Sequence, residues 1–413
     1  MTIHVIGAGL AGLSAAIAVA GRGEPIVLSE AAKQAGGRCR SYHDSQLDMT
    51  IDNGNHLVLS GNKAVGRYLR DIGAEGRVVG PDRPEFTFLD LEHGVRWTLR
   101  LDDGPVPWWI LHASRRVPGT RLRDYLGLLA LMGHHPGRRI DEIVRCDTVL
   151  WETFLRPVLL SALNTPPEGA SADLAGAIVR ETFAKGGRHM RPLVASPNLA
   201  AAFVDPALER LRRDGADIRF GRSLRALKFA NGRAVALAFD GEEESVLPDD
   251  RVIVAVPPWI AGNLLPGVGA PQTFSAILNA HFRIVPPPQA CRMVGLVGGT
   301  AEWVFAFADR LSVTVSAADR FLEADSDSLA LLLWREVAAV HGLAAAVPPC
   351  RIVKEKRATF AATPDEEVRR PSARTKWANV FLAGDWTDTG LPATIEGALR
   401  SGNRAAELAL AGA

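Results

Sequence analysis

Residues 3–12 read Ile3-His4-Val5-Ile6-Gly7-Ala8-Gly9-Leu10-Ala11-Gly12, followed by an apolar, alanine-rich stretch at 13–20. The first four residues are a short β-branched run, suited to a buried strand, and 13–20 has the composition of a packed helix. Gly7, Gly9 and Gly12 stand between them at the G-x-G-x-x-G spacing. Each glycine has its own duty. Gly7 makes the tight turn out of the strand, Gly9 lets a pyrophosphate approach bare backbone, and Gly12 allows the helix to sit close to the sheet. The helix N-terminus at Leu10 and Ala11 then offers free N–H groups and a positive dipole end to phosphate. A second strand is predicted at 25–29, and Glu30 at its end suits the ribose hydroxyls, being an acid about 20 residues past the glycines. A carboxylate there repels a 2′-phosphate. The order strand, turn, helix, strand, acid distinguishes this stretch from an idle glycine-rich turn and predicts a dinucleotide site in an α/β fold.

Composition bounds the rest. The chain has 413 residues, 47 basic and 46 acidic, with a formal charge of +1. That length allows two or three domains around a large core, and the balanced charge offers nothing to attract nucleic acid. Cys39, Cys146, Cys291 and Cys350 lie far apart and form no C-x-x-C pair. Neither a metal site nor a disulfide framework is expected, and a reducing compartment is the default. No apolar run reaches the length of about 18 residues that a spanning helix needs. The first strand begins at residue 3 with no leader before it, so the expectation is a cytoplasmic protein.

Beyond the second strand, Gly36-Gly37-Arg38 resembles the GGR signature of the flavoprotein family that contains amine oxidases, phytoene desaturases and protoporphyrinogen oxidases. The resemblance implies non-covalently bound FAD, with Arg38 helping to hold its diphosphate. Asp52-Asn53-Gly54-Asn55-His56 is similar to a segment that borders the isoalloxazine in that family, where Gly54 would let backbone pass close to a ring system. Residues 216–229 resemble the family's middle segment, which touches adenine through backbone, here near Leu224, and Ala255-Val256-Pro257-Pro258 is expected to close it as a turn. Gly384-Asp385 resembles the pair that meets the ribitol and diphosphate. The helix start at Ala393, Thr394 and Ile395 would face the flavin's pyrimidine carbonyls, where a helix N-terminus stabilises developing negative charge. The implied fold is a Rossmann-like FAD-binding domain of the GR2/amine-oxidase type with an α+β substrate domain inserted. Residues 1–80, 198–265 and 351–413 would form the discontinuous FAD-binding domain, and 81–197 and 266–350 the substrate-binding domain.

Within the second domain, 85–90 and 95–99 alternate at period 2 around His93-Gly94 and predict a hairpin. Trp108 and Trp109 stand beside prolines, and 122–132 is an apolar helix preceded by Arg115, Arg116, Arg121 and Arg123. One reading is core packing. The other is an interfacial patch across 105–133, with aromatics and leucines in lipid and arginines at headgroups, which would hold the protein peripherally on the inner face of a membrane. Residues 148–163 predict a helix apolar nearly all round, either buried or lining an apolar cavity, and Asn164-Thr165 adds polar groups before Pro166. A cap at 170–173 precedes a helix at 174–183. Strands are expected at 302–307 and 311–316, and a helix at 328–342. Gly295 to Gly299 lacks the spacing of a second dinucleotide fingerprint, so electrons are expected from an external donor.

The only tyrosines are Tyr42, Tyr68 and Tyr125, and Trp386 is the one aromatic near the closing motif. An aromatic cage for an amine is therefore not expected, and the apolar segments suit a hydrocarbon. Asp52 to Leu57, Phe154-Leu155-Arg156-Pro157 through Leu163-Asn164-Thr165-Pro166, Gly384-Asp385-Trp386-Thr387 and 391–396 together resemble the squalene-associated FAD-dependent desaturases of bacterial hopanoid synthesis, better described as hydroxysqualene dehydroxylases. After Leu57 the chain departs from that family's glycine-rich continuation and reads Val58-Leu59-Ser60-Gly61-Asn62. The resemblance implies reductive removal of an allylic hydroxyl from hydroxysqualene to give squalene. Polyene desaturation, amine oxidation and a non-enzymatic lipid escort role are the alternatives. Loss of the hydroxyl needs an acid, a water-excluding apolar wall and tolerance of an allylic cation. His56, directly or through a held water, is the candidate that helps the hydroxyl leave, and Asn164 the candidate that orients the substrate.

Overall fold

The computed structural model describes residues 1–411. Ile3–Ile6 is the central strand of a five-stranded parallel sheet, ordered Asp217–Phe220, Ile26–Glu30, Ile3–Ile6, Arg251–Val254, Val380–Leu382. All four of its residues are buried, which is why three of them are β-branched and apolar rather than alternating with exposed polar residues, while the buried His4 lies 3.8 Å from Asp250. The helix Leu10–Ala20 packs on this sheet beside the closing helix Ile395–Leu410, and it is buried nearly all round. The two helices meet at Gly402, where a Cβ would stand 2.1 Å from the carbonyl oxygen of Ala11. Ser14 Oγ donates to the Leu399 carbonyl across the same contact at 3.0 Å. The two ends of the chain are thus joined through backbone.

A second, seven-stranded sheet runs Cys350–Phe360, Phe274–Arg283, Arg310–Val315, Trp303–Ala306, Met293–Val297, Glu85–Asp90, Arg96–Arg100. Only Met293–Val297 and Glu85–Asp90 pair in parallel. One face packs on the helix Ser326–His341 through Ala276, Leu278, Phe282, Val304 and Val313. The opposite face carries Ser275, Asn279, His281, Ser312 and Thr314 toward the first sheet's loops, by the two-residue period of a strand.

The structure corrects several expectations. Cys350–Phe360 pairs with Phe274–Arg283, so residues expected to begin the last FAD segment lie in the second sheet. Pro192–Ala195 pairs with Leu57–Leu59 and Val78–Val79, on the side of the first segment. Pro257 and Pro258 open the helix Pro258–Leu264 instead of closing a turn, because proline's fixed φ and missing N–H are tolerated at the first helical position. The helix expected across 122–132 is a 3₁₀ stretch, Leu122–Tyr125, leading into a short helix, Leu126–Leu131. A π-turn at Trp151–Leu155 precedes Arg156–Leu163, since Pro157 cannot donate the N–H that would bond back to Thr153. Glu242–Ser245 pairs as a strand although its residues are charged. Arg222 reaches Glu242 at 2.9 Å and Glu244 at 2.7 Å, and Lys228 reaches Glu243 at 2.5 Å.

One buried ion pair joins the seven-stranded sheet to the two-stranded ribbon of Ser41–Asp44 and Met49–Asp52. Arg310 lies 3.2 Å from Asp52, and both side chains are 3 % exposed. Asp52 also accepts from Ser41 Oγ at 2.6 Å and from the Leu199 N–H at 2.9 Å, and Arg310 stacks over Phe307 at 4.0 Å. Burial pushes the Asp52 carboxyl up, opposed by Ser41, Leu199 and Arg310. Removing one partner of such a pair leaves an uncompensated charge, at a cost of about 3–5 kcal/mol. Arg310→Met should therefore lower the urea midpoint strongly, whereas the paired change Asp52→Asn with Arg310→Met should recover part of the loss.

Candidate functional site

Gly7 has φ +104°, and a Cβ there would stand 2.5 Å from the Ala255 carbonyl. At Gly12 a Cβ would meet the Gly7 carbonyl at 1.9 Å, whereas at Gly9 nothing lies within 4 Å. The protein's own backbone requires the outer two glycines, while Gly9 borders open space. Gly9 caps the helix without a side chain, and the N–H of Ala11 has no acceptor among the described residues. An anion is the natural partner for such a terminus. Gly36, at φ +105°, donates its N–H to the Ala8 carbonyl at 2.8 Å, and Gly37 packs on the Cα of Gly9. The Glu30 carboxylate accepts the N–H of Ala8 at 2.7 Å and of Ala32 at 2.8 Å. A carboxylate has about four lone-pair sites, so two remain for ribose hydroxyls. Arg222 donates its N–H to the Glu30 carbonyl at 2.8 Å, which sets the buried Leu224 two residues from that point.

Opposite the glycines, the Arg38 guanidinium bonds to the Ala358 carbonyl and lies 2.6 Å from Asp385. The Arg38 side chain is 42 % exposed and that of Asp385 only 8 %, so the cation keeps a free face while the carboxylate anchors it. Gly384 is required by Trp386, whose Nε1 would lie 2.3 Å from a Cβ. The buried Trp386 itself donates to the Val256 carbonyl at 3.0 Å. Thr394 caps the closing helix by accepting from Gly397 N–H at 3.0 Å, with Ala393 half-buried before it. The acid in that helix's first turn, Glu396, points elsewhere. It accepts from Ala64 N–H at 3.1 Å, Val65 N–H at 3.0 Å and Arg400 Nε at 2.8 Å. It therefore caps the helix Lys63–Asp71, and the N-terminus beside Ile395 keeps its positive character. The sequence reading assigned Glu396 no role.

The loop 52–56 joins this region to the second sheet. Asn55 is tied to that sheet: its Nδ2 reaches Ser312 Oγ at 2.8 Å and Thr314 Oγ1 at 3.1 Å. Gly54 faces Asn279, whose Nδ2 would stand 2.9 Å from a Cβ. His56 lies 3.9 Å from the Cys39 sulfur. Burial, with the Arg38 cation beside it, lowers the imidazole to about 4, so His56 is neutral at pH 7 and serves as a hydrogen-bonding group rather than a cationic acid. Burial pushes the Cys39 thiol up to about 12, which keeps it protonated. Asn164 departs from its expected role. It is 2 % exposed at φ +48°, and its Nδ2 donates to the Ser275 carbonyl at 3.2 Å and Thr359 Oγ1 at 2.9 Å. Its Oδ1 accepts from Ala317 N–H at 2.7 Å. Both amide hydrogens are engaged within the protein, so Asn164 fastens the helix end to the sheet and has no donor left for a substrate.

The apolar segments expected around the substrate converge in one cluster containing Trp109, Tyr125, Leu131, Trp151, Phe154, Leu159, Trp303 and Phe305. Phe88 stacks on Trp97 at 4.4 Å and meets Phe154 and Trp303 at 5.8 and 5.6 Å. Leu311, Val313 and Val315 face the other side, toward the helix Ser326–His341. No aromatic cage is built from tyrosine: Tyr68 donates to the Phe203 carbonyl and Tyr125 accepts from Val117 N–H, both buried, and Tyr42 sits in the Ser41–Asp44 strand.

The family model described as flavin containing amine oxidoreductase matches residues 10–410. The chain belongs to that family. FAD is its cofactor, and the open space at Gly9, the uncapped helix and the free face of Arg38 fit a diphosphate. A hydroxysqualene dehydroxylase of Rhodopseudomonas palustris is 51 % identical over 99 % of this chain and 98 % of that protein. One of Sinorhizobium fredii is 49 % identical over 99 % and 98 %. In fold, the chain is similar to cyclohexylamine oxidase from Brevibacterium oxydans, with a TM-score of 0.74 at 14 % identity over 99 % of both chains. No helix among the described residues is long and apolar enough to cross a membrane.

His281 is fully buried, with Nδ1 2.8 Å from Ser312 Oγ. Burial and Arg310 lower it to about 3, against an ordinary value of 6.5. Its folded value lies below the unfolded one. The stability it contributes is complete above about pH 6.5 and is lost as pH falls toward 3. Glu302, which burial raises to about 7, works in the opposite sense, so a variant must isolate the histidine. His281→Asn should flatten the fall of the urea midpoint between pH 7 and 5; an unchanged slope would refute the assignment.

Proposed function

We propose that this chain is an FAD-dependent hydroxysqualene dehydroxylase that removes the allylic hydroxyl of hydroxysqualene and yields squalene. The carrying observation is its near-half identity, over the whole length, to enzymes bearing that name. Polyene desaturation and amine oxidation are the weaker readings. In the balanced reaction the C–O bond breaks, a hydride replaces the hydroxyl, and the hydroxyl takes up one proton and departs as water. Reduced FAD, when bound, supplies the hydride. A single dinucleotide fingerprint, at Gly7 to Gly12, supports an external electron donor.

The chain's own residues bind, orient and exclude water. Leu10, Ala11 and Arg38 would hold the diphosphate, with Asp385 fixing Arg38. Glu30 would take the ribose hydroxyls, the backbone near Leu224 the adenine, and the helix start at Thr394 and Ile395 the pyrimidine end. The aromatic cluster around Phe88, Phe154 and Trp303 supplies a dry wall for a C–O ionisation. Neutral His56 would donate an N–H, directly or through a water, to the departing oxygen. Loss of one such hydrogen bond should slow the step about tenfold. Anaerobic mixing of reduced enzyme with hydroxysqualene should give squalene by mass spectrometry, with His56→Ala about tenfold slower in a single turnover. Absence of squalene would overturn the assignment, and an unchanged rate would remove His56 from the step.

We further propose that residues 105–133 meet an anionic membrane surface. Trp108 is 59 % exposed, Leu126 62 % and Leu129 64 %, and Leu111 and Leu122 are exposed beside them. Trp109, Tyr125 and Leu131 point inward and are buried, so only one side of this cap is apolar and outward. Arg121 and Arg123 border it, and neither guanidinium forms a salt bridge among the described residues, although the Arg121 backbone N–H donates to Asp124 at 2.8 Å. Apolar groups entering lipid beneath arginines at headgroups is the interfacial arrangement. Wild-type protein should float with phosphatidylglycerol vesicles and poorly with phosphatidylcholine alone. Changing Trp108, Leu126 and Leu129 together to Ser should abolish flotation without changing flavin content. Persistent flotation of that variant, or a vesicle-free dimer that the same changes dissolve, would refute the membrane.

A further inference from the structure

Asn279 sits in the middle of Phe274–Arg283, on the face turned toward the loop 52–56, and is 1 % exposed. Its Oδ1 accepts from the Asn55 backbone N–H at 3.2 Å, from Asn55 Nδ2 at 3.4 Å and from Thr314 Oγ1 at 2.9 Å. These contacts fix which way round the amide lies, because a backbone N–H can only donate and the reversed amide would face it with another donor. The Nδ2 group therefore points away from Asn55. It donates to no acceptor among the described residues, and it lies 2.9 Å from where a Cβ on Gly54 would stand. The atom borders open space rather than being sealed in the core, and an amide N–H left without an acceptor there is available to a partner from outside the chain. Two residues along the loop, His56 lies near Arg38 and Asp385, which places this amide against the loop that borders the proposed flavin site.

We propose that Asn279 is a ligand-binding residue that donates its amide N–H to an uncharged hydrogen-bond acceptor seated against Gly54. Two groups in this site have that chemistry, the polar edge of the bound flavin and the hydroxyl of the alcohol substrate. Gly54 is glycine because a Cβ there would press on the Asn279 amide itself. The inference rests on the flavin site and not on the identity of the alcohol.

The test uses holoenzyme carrying Asn279→Asp, which keeps the acceptor for Asn55 and Thr314 and removes the donor. Gly54→Ala is a second variant, whose Cβ presses directly on the Asn279 amide and displaces its donor. Three quantities are read: the visible spectrum and midpoint potential of the bound flavin, the FAD dissociation constant, and the affinity of hydroxysqualene for the oxidised enzyme, where no turnover occurs. A shifted spectrum or potential, or FAD affinity weakened about tenfold, assigns the acceptor to the cofactor. An unchanged flavin with alcohol affinity weakened about tenfold assigns it to the substrate. If both variants melt like wild type and none of the three moves, the proposal is overturned, while squalene formation by wild-type enzyme tests the proposed reaction separately.

Discussion

The distance between backbone segments at Gly12 and Gly402 governs this structure. At Gly12 a carbonyl occupies the place of a side chain at 1.9 Å, and at Gly402 another does so at 2.1 Å. The first contact fixes the helix Leu10–Ala20 against the glycine turn, and the second fixes Ile395–Leu410 against that helix. No side-chain rearrangement could relieve either clash, since the obstacle is main chain. With both distances set, two helix N-termini are positioned around one cleft, and an anionic dinucleotide is the ligand class that such termini favour.

The cleft's other wall depends on polar links rather than on close packing. Asp52 joins Arg310, Ser41 and Leu199, and Asn55 joins Asn279, Ser312 and Thr314. Apart from Ser41–Asp52, which pairs neighbouring strands, each bond crosses between segments far apart in sequence, so the loop 52–56 is fastened to the second sheet. Buried networks of this kind hold geometry well when every member is satisfied and are costly otherwise. In this network Asn55 Oδ1 is buried without a partner, and the Asn279 amide N–H has no acceptor from the chain.

Local pattern made much of the fold legible. The glycine spacing, the acid at Glu30 and the Gly384-Asp385 strand each place themselves by chemistry confined to a few residues. The strand Phe274–Arg283 went unread, although Ala276, Leu278, Ala280 and Phe282 alternate with Ser275, Asn279 and His281, a period-2 signal that would have found both it and Asn279. Cys350–Phe360 was harder, since charged residues crowd its exposed stretch and only pairing with Phe274–Arg283 makes it a strand. Asn164 looked like a ligand group because motif placement says nothing about which hydrogen bonds the fold itself will use. The pairing of Trp108 outward with Trp109 inward is likewise set by tertiary packing, which adjacency in sequence cannot express.

Glu396 carries a consequence for energetics. A carboxylate in the first turn usually neutralises its own helix end, yet this one is committed to Ala64, Val65 and Arg400. The closing helix thus presents an uncompensated positive pole to whatever lies beside Ile395. By linkage, a pole that binds one charge state of a ligand more tightly makes that state easier to reach by the same factor. A flavin that gains negative charge on reduction would be held more firmly reduced than oxidised, and its potential raised accordingly. The carboxylate's choice of partner would thereby bear on the flavin's potential, although it touches neither donor nor substrate.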